Sequence, residues 1–261
     1  FMSGKAPPQT GVYSNKEKVF QKIAPQEMWP FRLKENGYFC SSGGKVHHGF
    51  KPLGKDVHAV FYSDERKSFR IDLKLRKEFE QTANGGNGGG ISTTNPKDDG
   101  YFYDAHSAAS FVKFISEYDE DKPFYREVGF FSPHSPFITP KKYKEMYPIQ
   151  DFHYPKEWSD GFERSAYSEA HVRKMNSRCA DNPVGILLTD HGHHLGENNR
   201  FGKSTLWEQS ALVPLIIYDP DHREQQVQTD PVALLDAGPT VLDYAGLPPL
   251  EGCAGRSLRP L

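Results

Sequence analysis

Cysteine is scarce in this chain: there are three among 261 residues, Cys40, Cys179 and Cys253, and their spacing matches no metal signature. Their odd number argues against a disulfide scaffold. Charge of one sign is not in excess either. The formal net charge is −2, so nothing implies a surface for nucleic acid or another polyanion. No run approaches the ~18 apolar residues of a membrane span. The opening, FMSGKAPPQTGVYSN, has neither the basic start nor the apolar core of a signal peptide. There is no internal repeat and no dinucleotide fingerprint. The stretch NGGNGGGISTTNPKDDG (84–100) is rich in Gly, but no strand precedes it and its spacing is wrong, so a long flexible loop is expected there. What is present is 36% hydrophobic and 25% charged, a globular balance. The length allows a sizeable core in one large domain or two small ones.

Four apolar runs read as strands: GYFCSSGG (37–44), FYREVGFF (124–131), VGILLTD (184–190) and VPLIIYD (213–219). Their β-branched and aromatic content and their Gly and Pro flanks support that reading. Helical patterns lie between them. MWPFRLKENG (28–37) ends in Gly37, a typical residue just past a helix end. DAHSAASFVKFISEY (104–118) would place Phe111, Phe114, Ile115 and Tyr118 on one face, with Asp104 as N-cap. DPVALLDAGPTVLDYAG (230–246) opens on Asp–Pro and closes on Gly246. Strands alternating with helices predict an α/β fold with a mostly parallel central sheet flanked by helices.

Open α/β sheets bind ligands beyond the carboxyl ends of their strands. After the first strand come Lys45, His47 and His48. After the second comes His134, between two prolines. After the third, expected to be buried, come Asp190 and His191, with Lys203 a little further on in RFGKSTLWE. Taken singly, each is ordinary. An Asp–His pair is commonly a turn, Gly-Lys-x-His a solvated turn, and a lone Lys a surface residue. Their shared place at strand ends is what carries weight. Asp190 offers a hard oxygen for a divalent cation, and His191 adds a nitrogen or orients the site. Lys45 and Lys203 supply positive charge for an anion. His47 and His134 can donate to anionic oxygens or move protons near neutral pH. His193 and His194 are expected to be structural or solvent-facing, with a pocket-lining role open for one of them. The set suits displacement at a tetrahedral oxyanion, a sulfate or phosphate ester.

Several blocks, in order along nearly the whole length, resemble the sulfatases of the alkaline-phosphatase superfamily. LKENGYFCSSGGKVHH resembles their Gly-Lys-x-His signature. KPFYREVGFFSPHSPFITPKKYKEMYP resembles their strand and Pro-His-x-Pro-Phe loop, and LLTDHGHHLGENNRFGKSTLWEQSALVPLIIYDP their late block. MSGKAPPQTGVYSN resembles the segment after their nucleophile motif, and AGPTVLDYAGLPPLEGCAGRSLRPL the end of their catalytic domain. The Asp–His pair and the Pro-His-x-Pro-Phe loop are most similar to the choline-sulfatase and iduronate-sulfatase branch. The resemblance implies that Asp190 and His191 help hold a calcium ion. It implies that Lys45 and Lys203 contact sulfate, that His134 contacts its oxygens, and that His47 hydrogen-bonds the nucleophile. His134 or Lys203 would protonate the leaving alcohol. The nucleophile would be a formylglycine hydrate made from the Cys of a Cys-x-Pro-Ser-Arg motif. A periplasmic, secreted or lysosomal setting is implied as well.

This sequence departs from that pattern. Cys40 is followed by Ser41-Ser42-Gly43, Cys179 by Ala180-Asp181-Asn182 and Cys253 by Ala254-Gly255-Arg256, so none carries over as nucleophile. The family's first strand, with paired Asp ligands, is also missing. Residues 1–261 are therefore expected to be a sulfatase catalytic domain without its nucleophile strand, which would lie before Phe1, and without the smaller subdomain, which would lie beyond Leu261. The region 167–183 is shorter than the helix the family has there. Three functions stay open: a sulfate monoester hydrolase acting on a small molecule or carbohydrate, a phosphate or phosphonate monoester hydrolase, and a non-catalytic anion-binding relative. Substrate choice would come from loops near 51–65, 81–104 and 151–165. Tyr147, Phe152, His153, Tyr154 and Trp158 are candidates there for stacking on a sugar or aryl group, or for ordinary packing.

Overall fold

The computed structural model describes residues 1–48, 53–66, 91–93, 102–134, 138–148, 184–195, 197, 201–222 and 226–259. The chain forms two compact units, Phe1–Ile149 with Leu235–Leu261, and Gln150–Leu234. The expectations for 167–183, for Cys179 and for the aromatic residues at 152–158 lie outside the described residues.

The larger unit opens with a short helix α1 (Pro7–Thr10), and α2 (Trp29–Glu35) follows. Pro30 sets the helical φ in the first turn of α2. The helix stops ahead of Gly37, which takes the left-handed φ of +88° expected of it. α2 buries Trp29 and Leu33 in a core shared with Cys40, Phe61, Tyr62 and Leu242. Each such large side chain, fully buried, stabilises the fold by about 1.5–3 kcal/mol. β1 (Phe39–Gly44) pairs in parallel with β3 (Phe124–Gly129), Phe39 opposite Phe124 and Gly44 opposite Gly129. Two parallel neighbours need a long crossover, and α3 (Lys55–Phe61) and α4 (Tyr103–Glu117) lie within it. α3 corrects the expectation of a loop over 51–65. Val57, Val60 and Phe61 recur at helical spacing and give it an apolar stripe against the core.

α4 packs on β1 and β3, but not with the face expected. Phe114 and Tyr118 do turn inward, against Phe39 and Phe124. Phe111 and Ile115 instead remain exposed. The inward stripe is Tyr103, Ser107, Ser110, Phe114 and Tyr118, because small Ser side chains let the helix approach the strands closely. Asp104 is not the N-cap; that position belongs to Phe102. β2 (Ile91–Thr93) pairs in parallel with β4 (Ile138–Pro140), which leads into α5 (Lys141–Lys144). The Gly-rich loop is thus interrupted by a strand at 91–93, and the rest of 84–100 lies outside the described residues. The C-terminal helix, α7 (Ala237–Tyr244), begins at Ala237 rather than at Asp230. A 3-10 turn, Leu234–Asp236, leads into it; the Asp236 carboxylate accepts the Arg256 N–H at 2.9 Å and its carbonyl the Thr240 hydroxyl at 2.7 Å.

In the smaller unit β5 (Gly185–Leu188) pairs antiparallel with β8 (Leu215–Tyr218), Ile186 opposite Ile217. Between them lie the hairpin of β6 (His194–Leu195) and β7 (Phe201–Gly202), and α6 (Glu208–Ala211). β5 is not the buried strand expected. It alternates exposed with half-buried positions, and Leu187 is 46% exposed. The architecture is α/β, with the parallel pairs β1–β3 and β2–β4 in the larger unit and the antiparallel pairs β5–β8 and β6–β7 in the smaller. Among the described residues no helix is long and apolar enough to cross a membrane.

Candidate functional site

In the larger unit the candidate groups gather where β1 and β3 end. Gly44 and Gly129 let the two strands close there. Gly44 takes φ +84°, and a Cβ on it would meet the Gly129 carbonyl oxygen at 2.0 Å. The Lys45 N–H donates to that same oxygen at 2.9 Å. Lys45 therefore leaves the sheet at a fixed point, and its Nζ lies 5.9 Å from the centre of the Phe131 ring. The His134 ring stacks on Phe131 at 4.9 Å. The loop carrying both is held from α4: Asp104 Oδ1 accepts from Phe131 N at 2.5 Å and Oδ2 from Ser132 N at 2.8 Å. Lys45 and His134 thus both lie against the Phe131 ring, one as a cation near it and one as an exposed imidazole stacked on it.

His47 sits deeper. Its ring lies parallel to Phe61 at 5.9 Å, with Phe20 at 6.2 Å. Its Nε2 is 3.2 Å from the Tyr62 hydroxyl. Tyr62 donates to Glu127 Oε2 at 2.5 Å, Tyr125 donates to Oε1 at 2.9 Å, and Trp29 Nε1–H donates to the Tyr125 oxygen at 2.8 Å. Burial shifts the titrations of this group in opposite senses. It pushes the Glu127 carboxyl up to about 7, against the downward pull of its hydroxyl donors, and holds the His47 imidazole down at about 4.

These shifts make stability depend on pH with opposed slopes. The Glu127 contribution is fully present below the ordinary 4.5 and is lost as pH rises through about 7. The His47 contribution is present above the ordinary 6.5 and is lost as pH falls through about 4. Between pH 4.5 and 6.5 they offset each other. In Glu127→Gln the carboxyl slope vanishes. Its urea-unfolding free energy should then gain, relative to the parent, on the order of 1–3 kcal/mol between pH 4.5 and 7. A difference between the two proteins that does not change with pH would count against a buried, titrating Glu127.

In the smaller unit the Asp190–His191 pair follows β5. The His191 Nδ1 lies 2.9 Å from the Gly192 carbonyl oxygen, which can only accept, so Nδ1 carries the proton. Nε2 is then a lone pair, and Lys203 Nζ donates to it at 2.8 Å. The β6–β7 hairpin makes this contact possible by turning the chain back so that Lys203, next after β7, returns to His191. Lys203 is accordingly half-buried rather than solvated. Asp190 is exposed, its Oδ1 3.6 Å from the same Nε2. His194 is fully buried and structural. Its Nε2 is 2.7 Å from the Thr205 hydroxyl, which donates to Ser210 at 3.2 Å, and its ring lies edge-on to Trp207. His193 is exposed.

The structure therefore places Lys45 and His134 against the same Phe131 ring in the larger unit, and brings Asp190 and Lys203 to the His191 ring in the smaller. As cation donors, Asp190 Oδ1 and His191 Nε2 are close enough to serve one ion, and a carboxylate oxygen suits calcium. They fit as part of a shell only: among the described residues no group of three or more His, Cys, Asp or Glu gathers as a metal cluster. Lys203 would have to release the Nε2 lone pair for His191 to take part. Sequence reasoning missed Tyr62 and Glu127, and read Asp104 only as a helix cap. Glu127 did leave a signal, as an ionisable residue inside an apolar strand. Tyr62 left none, and nothing tied Asp104 to its loop, because their partners are 65 and 27 residues away.

The family model described as Sulfatase matches residues 1–247. A sulfatase of Formosa agariphila is 26% identical over an alignment covering 94% of this chain and 58% of that protein. A choline-sulfatase of Rhizobium meliloti is 25% identical, covering 95% and 57%. The chain thus spans somewhat over half the length of these relatives. Two solved structures share the fold, each with a TM-score of 0.60 and 99% of this chain covered. One, 14% identical and covered to 68%, was solved in complex with its substrate D-glucosamine-2-N,6-O-disulfate. The other, 16% identical and covered to 65%, is a phosphonate monoester hydrolase from Silicibacter pomeroyi.

Proposed function

The chain belongs to the sulfatase family, and from that premise we propose that it forms part of an enzyme that cleaves a sulfate monoester to an alcohol and inorganic sulfate. The observation that carries this reading is the contact in the smaller unit: an ammonium on the bare nitrogen of a histidine, beside an exposed carboxylate. That arrangement gathers a cation and a cation-binding oxygen around one imidazole nitrogen, groups that an anionic ester needs. In the larger unit Lys45 and His134 are sulfate contacts and His47 hydrogen-bonds the nucleophile; in the smaller unit Lys203 is a sulfate contact. The leaving alkoxide takes its proton from Lys203 or His134. Asp190 and His191 contribute to a calcium site, with the remaining ligands from other residues. The bound ion would offset charge on the transferring group. The nucleophile is a formylglycine hydrate on residues beyond these 261, so that they make up a catalytic domain without its nucleophile strand. The substrate is a small-molecule or carbohydrate sulfate ester. The choline-sulfatase relative and the fold neighbour solved with a glucosamine disulfate support that class.

A second reading, phosphonate or phosphate monoester hydrolysis, is favoured by the shared fold of the Silicibacter pomeroyi enzyme. Steady-state turnover by the full-length protein on choline sulfate, sulfated glucosamines and matched phosphate and phosphonate esters separates the two. Sulfate esters are expected to turn over with the higher kcat/KM. Faster phosphonate turnover would select the second reading. No ester turnover with calcium supplied would leave a non-catalytic anion-binding relative.

A further inference from the structure

We propose that Tyr62 and Glu127 are positioning residues that lock His47 in the tautomer with hydrogen on Nε2 and a bare Nδ1. The argument is one of hydrogen-bond direction. Glu127, ionised, can only accept. Both its oxygens are occupied, Oε2 by the Tyr62 hydroxyl at 2.5 Å and Oε1 by the Tyr125 hydroxyl at 2.9 Å. Tyr62 has one hydroxyl proton, and Glu127 holds it. The Tyr62 oxygen is then an acceptor toward His47, so the nitrogen 3.2 Å away, Nε2, must be the donor. Nδ1 is left with its lone pair. The far end of the chain fixes the direction too, since Trp29 Nε1 has only a proton to give and turns the Tyr125 hydroxyl toward Glu127.

The pieces come from four places: Trp29 opens α2, Tyr62 follows α3, Tyr125 and Glu127 are on β3, and His47 follows β1. The groups facing the Glu127 carboxylate are Tyr62, Tyr125 and Ser42, with Arg126 beside it, and Cys40 and Asp64 nearby. Tyr62 is 3% and Glu127 9% exposed, so water does not compete well for these bonds. The role of the lock rests on the reading that His47 hydrogen-bonds the nucleophile. A bare Nδ1 then accepts the nucleophile's proton, and a mixed tautomer would lose part of the population that can.

Nitrogen-15 correlation spectra of the full chain at pH 8 test this directly, with His47 assigned by its absence in His47→Phe. The expected parent spectrum has a pyrrole-type Nε2 and a pyridine-type Nδ1. In Tyr62→Phe the two shifts should move toward each other as tautomers mix, and kcat should fall roughly tenfold with KM little changed. Trp29→Phe, at the far end of the chain, should leave the His47 shifts within one tautomer. A parent spectrum with hydrogen on Nδ1 overturns the proposal, whether or not any variant folds. So does a Tyr62→Phe spectrum identical to the parent. If the tautomer mixes in Tyr62→Phe while kcat holds, the lock stands and the catalytic role of His47 falls.

Discussion

Gly129→Ala unseats Lys45 and costs the fold about 3–5 kcal/mol, at the severe end of single substitutions. A Cβ at this position would lie 1.9 Å from the Lys45 carbonyl oxygen, 2.1 Å from its carbon and 2.8 Å from its nitrogen. All three are main-chain atoms, so no rotamer change relieves the clash. The ends of β1 and β3 must separate, the Lys45 N–H bond to Gly129 breaks, and the ammonium moves away from Phe131 and His134. Urea unfolding should report the lost stability, and residual ester turnover the lost seat. Gly54→Ala is the control, because nothing lies within 4 Å of the added carbon there. It should cost less than about 1 kcal/mol. A Gly129→Ala protein that unfolds at the parent urea concentration would mean that the strands do not close as described.

On the proposed contact of Lys203 with sulfate, Lys203→Met should lower kcat/KM for sulfate esters by roughly 10²–10³, the scale for losing one donor to an oxyanion. Met keeps most of the length of the side chain and discards its charge. The second readout is cation binding. Lys203 occupies the His191 Nε2 lone pair at 2.8 Å, beside the Asp190 carboxylate. Removing a positive charge from that place should leave calcium affinity unchanged or raise it, while Asp190→Asn should lower it. Titration calorimetry on the full-length protein distinguishes these outcomes. Loss of calcium binding in Lys203→Met would show that the lysine supports the site's structure rather than its chemistry.

The strands were legible because their signal is local. Apolar and aromatic runs between turn residues mark β3, β5 and β8, and Tyr38-Phe39-Cys40 marks β1, each within a few residues of its ends. Gly37 marked the end of α2 for a comparable reason, since a left-handed residue has few alternatives. The start of α7 was not legible. Asp230–Pro231 is a good local helix entry, but the helical turns begin only at Leu234, and Asp236 there is tied to Arg256, twenty residues on, a partner no local pattern shows. The buried face of α4 failed similarly. Its large apolar residues define one stripe in the sequence, and the need for close approach to β1 and β3 selects another through Ser107 and Ser110. Lys45, His134, Asp190, His191 and Lys203 were found as residue types at strand ends. Which of them touch was not readable, because the contact of Lys203 with His191 depends on how a hairpin turns the chain back.

The two bonds from Asp104 carry a consequence for how this protein tolerates change. The carboxylate grips the main-chain N–H groups of Phe131 and Ser132, which every residue except proline possesses. Side-chain identity at Ser132 is therefore invisible to the anchor that positions the loop. A lineage could rewrite that side chain without re-engineering the support beneath the loop. Asp104 itself has no such freedom: a change there releases both amides at once.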